Sequence, residues 1–271
     1  MFNRCIAAVL AACVACPSTL AAQDADIEMW RLDCGTLQID DLGAFSDTGR
    51  FAGEKRLLAD SCYLIRNGDR YLLWDTGLDG DLAGKPRDAN GSKLDERIVT
   101  QLDAINLSAD DVDYVAISHY HYDHIGQLAD FPTATLFEGA DDWTVIKDRA
   151  SLEPIYRPWL TGGATLELVA GDKDIFGDGR VVMLDLPGHT PGHHGLLVRL
   201  ASGPVLLSGD QYHFNENRAD RGVPTFNADR ADTLASHDRI EKLAENLGAT
   251  LIIQHEHADI AKLPAFPESA K

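Results

Sequence analysis

Six consecutive residues, His119-Tyr120-His121-Tyr122-Asp123-His124, carry three imidazoles and a carboxylate directly after residues 114–117, which read as a short buried strand. Imidazole nitrogen and carboxylate oxygen are the donors that borderline divalent cations such as zinc prefer. In an extended stretch residues two apart point the same way, so His119 and His121 can grip one ion. Asp123 and His124 lie just past them, where a turn lets them serve a second. A lone histidine is better read as a solvated loop residue. This cluster is not, because the chain also supplies isolated partners: His189 in Pro187-Gly188-His189-Thr190-Pro191-Gly192-His193, Asp210 in Ser208-Gly209-Asp210, and His255 after Ile253-Gln254. Each stands at or just after the end of an expected strand.

Those strands are spread along the whole chain. Residues 29–39, 61–65 and 71–74 read as strands, with the hairpin-turn signal Asn67-Gly68 between the last two. Leu94, Ile98, Leu102 and Ile105 recur at helical spacing before the first histidine cluster. In the second half, 181–186, 196–200 and 205–207 are strand-like, 231–247 is helical, and a last strand, 250–253, delivers His255. Strands in both halves with helices late in each predict a two-sheet core covered by helices, a layered α/β architecture. The chain has 271 residues, 45% of them hydrophobic, without a linker or a short repeat, which suits one domain over residues 23–271.

Residues 1–22 read differently. Arg4 precedes an apolar run, 5–16, then Pro17 and small residues up to Ala21 and Ala22, the layout of a cleaved export signal. The run is too short to span a bilayer, so a periplasmic or secreted protein without stable membrane insertion is expected. Leu10-Ala11-Ala12-Cys13 resembles a bacterial lipobox, and the alternative makes Cys13 a lipid-modified first residue. Of the five cysteines only Cys34 and Cys62 lie beyond this segment, and an exported pair can form a disulfide; two free thiols are the alternative. The net charge of −19 repels phosphodiester backbones and excludes nucleic acid as a partner. A homodimer stays open.

The HxHxDH run, the PGHTPGH run, Ser208-Gly209-Asp210 and a late strand-end histidine, in this order, resemble the metallo-β-lactamase superfamily over nearly all of residues 23–271. The resemblance implies a four-layer αβ/βα sandwich with two mixed sheets and flanking helices. It implies two divalent metal ions, with zinc the default: one held by His119, His121 and His189, the other by Asp123, His124 and His255, with Asp210 bridging. Asp75 in Trp74-Asp75-Thr76-Gly77 matches a further motif and is expected to accept a hydrogen bond that orients a ligand, a turn-capping aspartate being the alternative. His193, His194, His237 and His257 match no ligand position and read as structural or solvent-exposed.

Two cations can share one water and lower its pKa from ~15.7 to ~7, so the implied reaction is metal-assisted opening of an ester, lactone, thioester or lactam. A bridging carboxylate at Asp210 is expected of lactonase-like and glyoxalase-II-like members more than of β-lactamases. The C-terminal helical region of the glyoxalase group is not evident after His255. Asp33-Cys34-Gly35, Phe45-Ser46-Asp47, Ser61-Cys62-Tyr63-Leu64-Ile65 and Leu73-Trp74-Asp75-Thr76-Gly77 are similar to N-acyl homoserine lactonases. Residues 40–59 would then form a substrate-side loop, with Phe45 and Phe51 as acyl-chain contacts and loop packing as the alternative. Such lactonases often have a tyrosine three residues after the bridging aspartate. Here His213 holds that place, and His213, ahead of Tyr212, is the side chain expected to assist the carbonyl or leaving oxygen, with Asp123 as the third catalytic candidate. The implied substrate is a small lactone or ester, with a β-lactam the rival and a non-catalytic metal-binding protein the reading from another class.

Overall fold

A computed structural model describes residues 27–271; the expectations for residues 1–22, including Cys13, lie outside the described residues. The chain runs β1 (Ile27–Ile39), β2 (Arg56–Asn67), β3 (Arg70–Trp74), β4 (Ser92–Lys93), α1 (Ile98–Ala104), β5 (Tyr114–Ala116), α2 (Tyr122–Ile125), β6 (Thr135–Gly139), α3 (Ala140–Asp148), α4 (Glu153–Leu160) and β7 (Leu166–Val169). It continues with β8 (Lys173–Asp174), β9 (Val181–Asp185), β10 (His194–Leu200), β11 (Gly203–Leu207), α5 (Asn215–Ala219), α6 (Arg230–Leu247) and β12 (Thr250–Ile252). The first sheet has the order β4-β1-β2-β3-β5-β6-β7 and the second β12-β11-β10-β9-β8.

The period of two along the strands divides the core into layers. Met29, Tyr63, Ile65, Leu72 and Trp74 point from the first sheet at Met183, Leu196, Val198 and Leu207 of the second. Their neighbours Trp30, Leu32, Leu64 and Leu73 face the other way and pack under Ile98 and Leu102 of α1, Trp143 of α3 and Trp159 of α4. On the far side, Leu184, Leu197, Leu206 and Leu251 pack beneath Ile240 of α6. Helix, sheet, sheet and helix are therefore stacked in four layers.

Parallel pairing sets where the polar strand ends meet. β3 pairs parallel with β5, Trp74 opposite Ala116, so Asp75 and the run from Ser118 to His124 leave the first sheet at one edge. β11 pairs parallel with β12, Leu207 opposite Ile252. Asp210 and His255 each stand three residues past that pair and so emerge side by side. The β1–β2 pair is tied by a disulfide between Cys34 and Cys62, both fully buried. Closing a loop with a sequence separation of 28 stabilises by about 3–4 kcal/mol through the unfolded chain. Gly77 (φ +61°) lies against the bridge, since a Cβ there would sit 2.4 Å from Cys34 Cβ.

Candidate metal centre

All seven sequence-predicted ligands converge at the edge where the two sheets meet. His119 Nε2 lies 2.9 Å from His121 Nδ1, and His189 Nε2 lies 3.1 and 2.9 Å from the same two atoms. Oδ2 of Asp210 faces this trio, 3.3 Å from His189 Nε2 and 3.7 Å from His119 Nε2. Its other oxygen, Oδ1, faces the second trio, 3.1 Å from His255 Nε2 and 3.2 Å from His124 Nε2. Asp123 completes that side, its Oδ2 3.9 Å from His255 Nε2. The local fold explains the spacing: His121 precedes α2, whose first turn swings Asp123 and His124 away from His119 and His121.

Hydrogen bonds on the outer ring nitrogens show what the inner ones offer. His124 Nδ1 donates to Asp75 Oδ2 at 2.9 Å, His255 Nδ1 to the Ala59 carbonyl at 2.7 Å, and His189 Nδ1 to Asn227 Oδ1 at 2.9 Å. With those protons placed outside, each Nε2 turns a bare lone pair inward. His124 Nε2 and Asp210 Oδ1 are buried without a hydrogen-bond partner. Three ring nitrogens gathered within 2.9–3.1 Å of one another cannot all be satisfied by hydrogen bonds among themselves, whereas one cation between them satisfies all three. The donor set therefore fits two cations, His119, His121, His189 and Asp210 on one side and Asp123, His124 and His255 on the other, with Asp210 Oδ1 turned to this second group.

Charge balance points the same way. Burial holds His119 and His189 well below the usual imidazole range, so both rings are neutral, the form that can bind a cation. Burial also pulls His124 and His255 down, but the carboxylates around them together outweigh it, Asp210 and Asp75 for His124 and Asp210 and Asp123 for His255, leaving His124 well above its usual range and His255 at about 9. Burial pushes Asp210 up, and the surrounding imidazoles, His255 first, hold it well below the carboxylate range. A divalent cation supplies the positive charge that these protons otherwise provide.

Above the cluster lies a cavity of about 260 Å³ whose wall is Leu37, Ile39, Phe45, Leu58, Tyr122 and Phe226 and whose floor includes His121, Asp123, Asp210, His213 and His255. Residues 56–255 match the Metallo-beta-lactamase superfamily. The chain belongs to that superfamily. Among curated members it is 31% identical to N-acyl homoserine lactonase AttM of Azorhizobium caulinodans, over 72% of this chain and 80% of that one. It is 28% identical to AttM of Rhizobium johnstonii over 90% and 98%. Among solved structures, an N-acyl homoserine lactone hydrolase holding the product N-hexanoyl-L-homoserine at its catalytic metal centre superposes with a TM-score of 0.75 at 23% identity, covering 90% of this chain and 99% of that one. AidC, a dizinc quorum-quenching lactonase, superposes at 0.67 and 17%, covering 90% of each. At these identities the superpositions speak for the fold.

Within this metallo-beta-lactamase fold the remaining sequence-predicted residues separate. His213 reaches the cavity with its Nε2 3.1 Å from Asp210 Oδ2. Tyr212 does not: consecutive residues point to opposite sides, and its ring lies tilted against His237 of α6 at 4.5 Å, outside the cavity lining, which separates it from the proposed role. Phe45 lines the cavity, but Phe51 packs edge-on against Phe214 at 5.0 Å and is a core residue of the loop. Asp75 accepts from His124 Nδ1, Ser118 Oγ and Gln254 Nε2 on Oδ2 and from the Ser118 amide on Oδ1.

His193 does more than the sequence suggests. Its Nε2 accepts the backbone N–H of Asp210 at 2.9 Å while Nδ1 donates to the Leu186 carbonyl, and burial keeps the ring neutral, with a pKa lowered to about 3. Gly209 (φ +52°) makes room, since a Cβ there would lie 2.5 Å from His193 Nε2. His194 is buried between the Gly192 and Gly171 carbonyls, and His257 is exposed. Asn227, Phe226 and Asp142 also belong to the site, although no motif contains them. The Asp142 carboxylate receives Thr190 Oγ1 and the Gly192 amide, both at 2.7 Å, and so pins the turn that carries His189. Only the repeated PGH motif hints at His193; nothing in the sequence marks the others.

Proposed function

We propose that this chain is a dinuclear-metal lactonase that opens N-acyl homoserine lactones. The observation that carries this reading is the cavity: an apolar wall stands directly over Asp210, and no Lys or Arg is among its lining residues. A neutral lactone with an acyl tail suits such a wall. A β-lactam antibiotic carries an ionised carboxylate, for which no side-chain cation is provided there. The names of the curated relatives agree with this substrate class.

Zinc is the default occupant, because nitrogen and oxygen donors from five histidines and two aspartates suit it. Bound cations supply Lewis acidity and a water acidified from ~15.7 to ~7. The chain's own residues do the rest. Asp210, held through its backbone by His193, fixes the two halves of the site relative to each other. His213 Nε2 stands where it can donate to the carbonyl or to the departing ring oxygen. Asp123 lines the same cavity and can receive a proton at Oδ2 and return it. Leu37, Ile39, Leu58, Phe45 and Phe226 hold the acyl chain and keep bulk water out.

Residues 1–22 are proposed to export the protein to the periplasm or beyond, a reading supported by the Cys34–Cys62 disulfide, which persists in oxidising compartments. The deciding experiment compares turnover of zinc-loaded protein on acyl homoserine lactones, a β-lactam and an aryl ester. Lactone turnover should dominate; a dominant β-lactam rate would overturn the assignment.

A further inference from the structure

Phe226 and Asn227 are neighbours in the chain that touch different parts of the site. The Phe226 ring, 46% exposed, forms part of the cavity wall, edge-on to Phe45 at 5.3 Å and to His189 at 5.8 Å. Asn227 instead meets the outer nitrogen of His189, Oδ1 to Nδ1, at 2.9 Å. The Asn227 amide is fixed in this orientation by a chain of single-proton logic. The Thr233 hydroxyl spends its only proton on the Asp229 carbonyl at 2.6 Å, so it can only accept from Asn227, at 3.0 Å. Only the Nδ2 end of the amide can supply that bond. Oδ1 must then face His189, Nδ1 must carry the imidazole proton, and Nε2 is left bare toward His119, His121 and Asp210.

The same segment holds the backbone on both sides of the contact. Ala228 N donates to the His189 carbonyl at 3.1 Å and Asp229 N to the Gly188 carbonyl at 2.9 Å. Upstream, the segment is tied to the loop that bears Phe45: Thr225 N donates to the Ala44 carbonyl and Asp47 N to the Val223 carbonyl, both at 2.8 Å. We propose that Asn227 is a positioning residue that fixes the ring and tautomer of His189, and that Phe226, on the same strapped segment, is a specificity-determining residue of the cavity wall. Ligand and wall are then one mechanical piece.

The Asn227 half rests on the metal reading of the site and not on the choice of lactone, so it is read out by metal retention. Full-length zinc-loaded protein is dialysed against graded chelator and its metal counted by elemental analysis. Asn227→Leu should release one of two ions with an affinity ~10–100-fold lower than the parent. Asn227→Asp, which keeps an acceptor toward Nδ1, and Phe226→Ala should retain both ions. Phe226→Ala should instead raise KM on long-chain lactones more than on short ones. Should Asn227→Leu fold poorly, Thr233→Val frees the amide to turn and should loosen the same ion. Undiminished retention in Asn227→Leu or in Thr233→Val overturns the positioning role, as does equal metal loss in Asn227→Asp or Phe226→Ala. A chain-length profile unmoved by Phe226→Ala overturns the specificity role. A parent that holds no metal overturns the site reading as well.

Discussion

Oδ2 of Asp75, a residue whose own backbone is left-handed (φ +58°), accepts the Nδ1–H of His124 at 2.9 Å. Asparagine tolerates that backbone, so Asp75→Asn tests the carboxylate without disturbing the turn. An amide in its place turns its N–H₂ either against the donors from His124, Ser118 Oγ and Gln254 or, flipped, against the Ser118 backbone N–H, so one set of donors loses its acceptor in either orientation. In both orientations His124 loses the carboxylate charge that holds its Nδ1 proton outward. Metal affinity should fall ~10–100-fold, chiefly for the ion assigned to Asp123, His124 and His255. Competition with a chromophoric chelator measures it, and parental affinity in the variant would remove Asp75 from the metal-orienting role.

His213 makes a sharper case because its neighbour Asp210 is a proposed ligand, so lost chemistry has to be told apart from lost metal. His213→Ala removes a donor at the cavity floor and leaves the seven ligands in place. A positioned donor of this kind contributes ~10²–10⁴-fold, so kcat on a short-chain lactone should fall by at least ~10²-fold with both ions retained. An unchanged kcat would reduce His213 to packing against Phe45, whose ring lies 4.8 Å away.

The two phenylalanines of the loop between β1 and β2, residues 40–55 and so shorter than the expected 40–59, should behave differently from one another. Phe45 lines the cavity, so Phe45→Ala should raise KM more for long acyl chains than for short ones. Phe51, 2% exposed among Leu42, Leu58 and Phe214, faces the loop's own core. Phe51→Ala should cost about 3–5 kcal/mol of stability and should not change the ranking of chain lengths. Steady-state kinetics across acyl lengths, with urea unfolding of both variants, separates the outcomes; a chain-length effect confined to Phe51→Ala would reverse the assignment.

What is legible in the sequence is whatever local pattern can express. The HxHxDH run names its own chemistry, and the apolar runs 181–186, 205–207 and 250–253 by themselves put His189, Asp210 and His255 just beyond strand ends. The stretch from Thr135 to Val169 is not legible. β6 passes into α3 at Gly139 without a loop, and α4 carries Pro158 in its interior, a residue that argues against a helix. Nor can sequence separate Phe45 from Phe51, because which ring faces the cavity depends on how the loop folds over Phe214. The partners of the ligands are hidden for a related reason. Asn227 and His189 are 38 residues apart, and their hydrogen bond exists only once two loops lie side by side.

Acid stability should report on a histidine far from the chemistry. His237 is buried on α6 against Tyr212, with its Nε2–H donated to the Gln211 carbonyl at 2.8 Å, and burial lowers its pKa from 6.5 to about 4. The unfolded chain therefore takes up this proton at a higher pH than the folded one. The resulting stabilisation is complete above pH ~6.5 and is lost as pH falls toward ~4, amounting to roughly 3 kcal/mol over the window. His237→Gln keeps an N–H donor but has no proton to gain. The stability gap between parent and variant, from urea unfolding of metal-loaded protein, should narrow between pH 7.5 and pH 5 by roughly 2 kcal/mol, because only the parent loses this contribution. Titrating carboxylates and ligands common to both proteins cancel in the difference. A gap that stays constant across that range would mean that His237 is as easily protonated in the folded protein as in the unfolded chain.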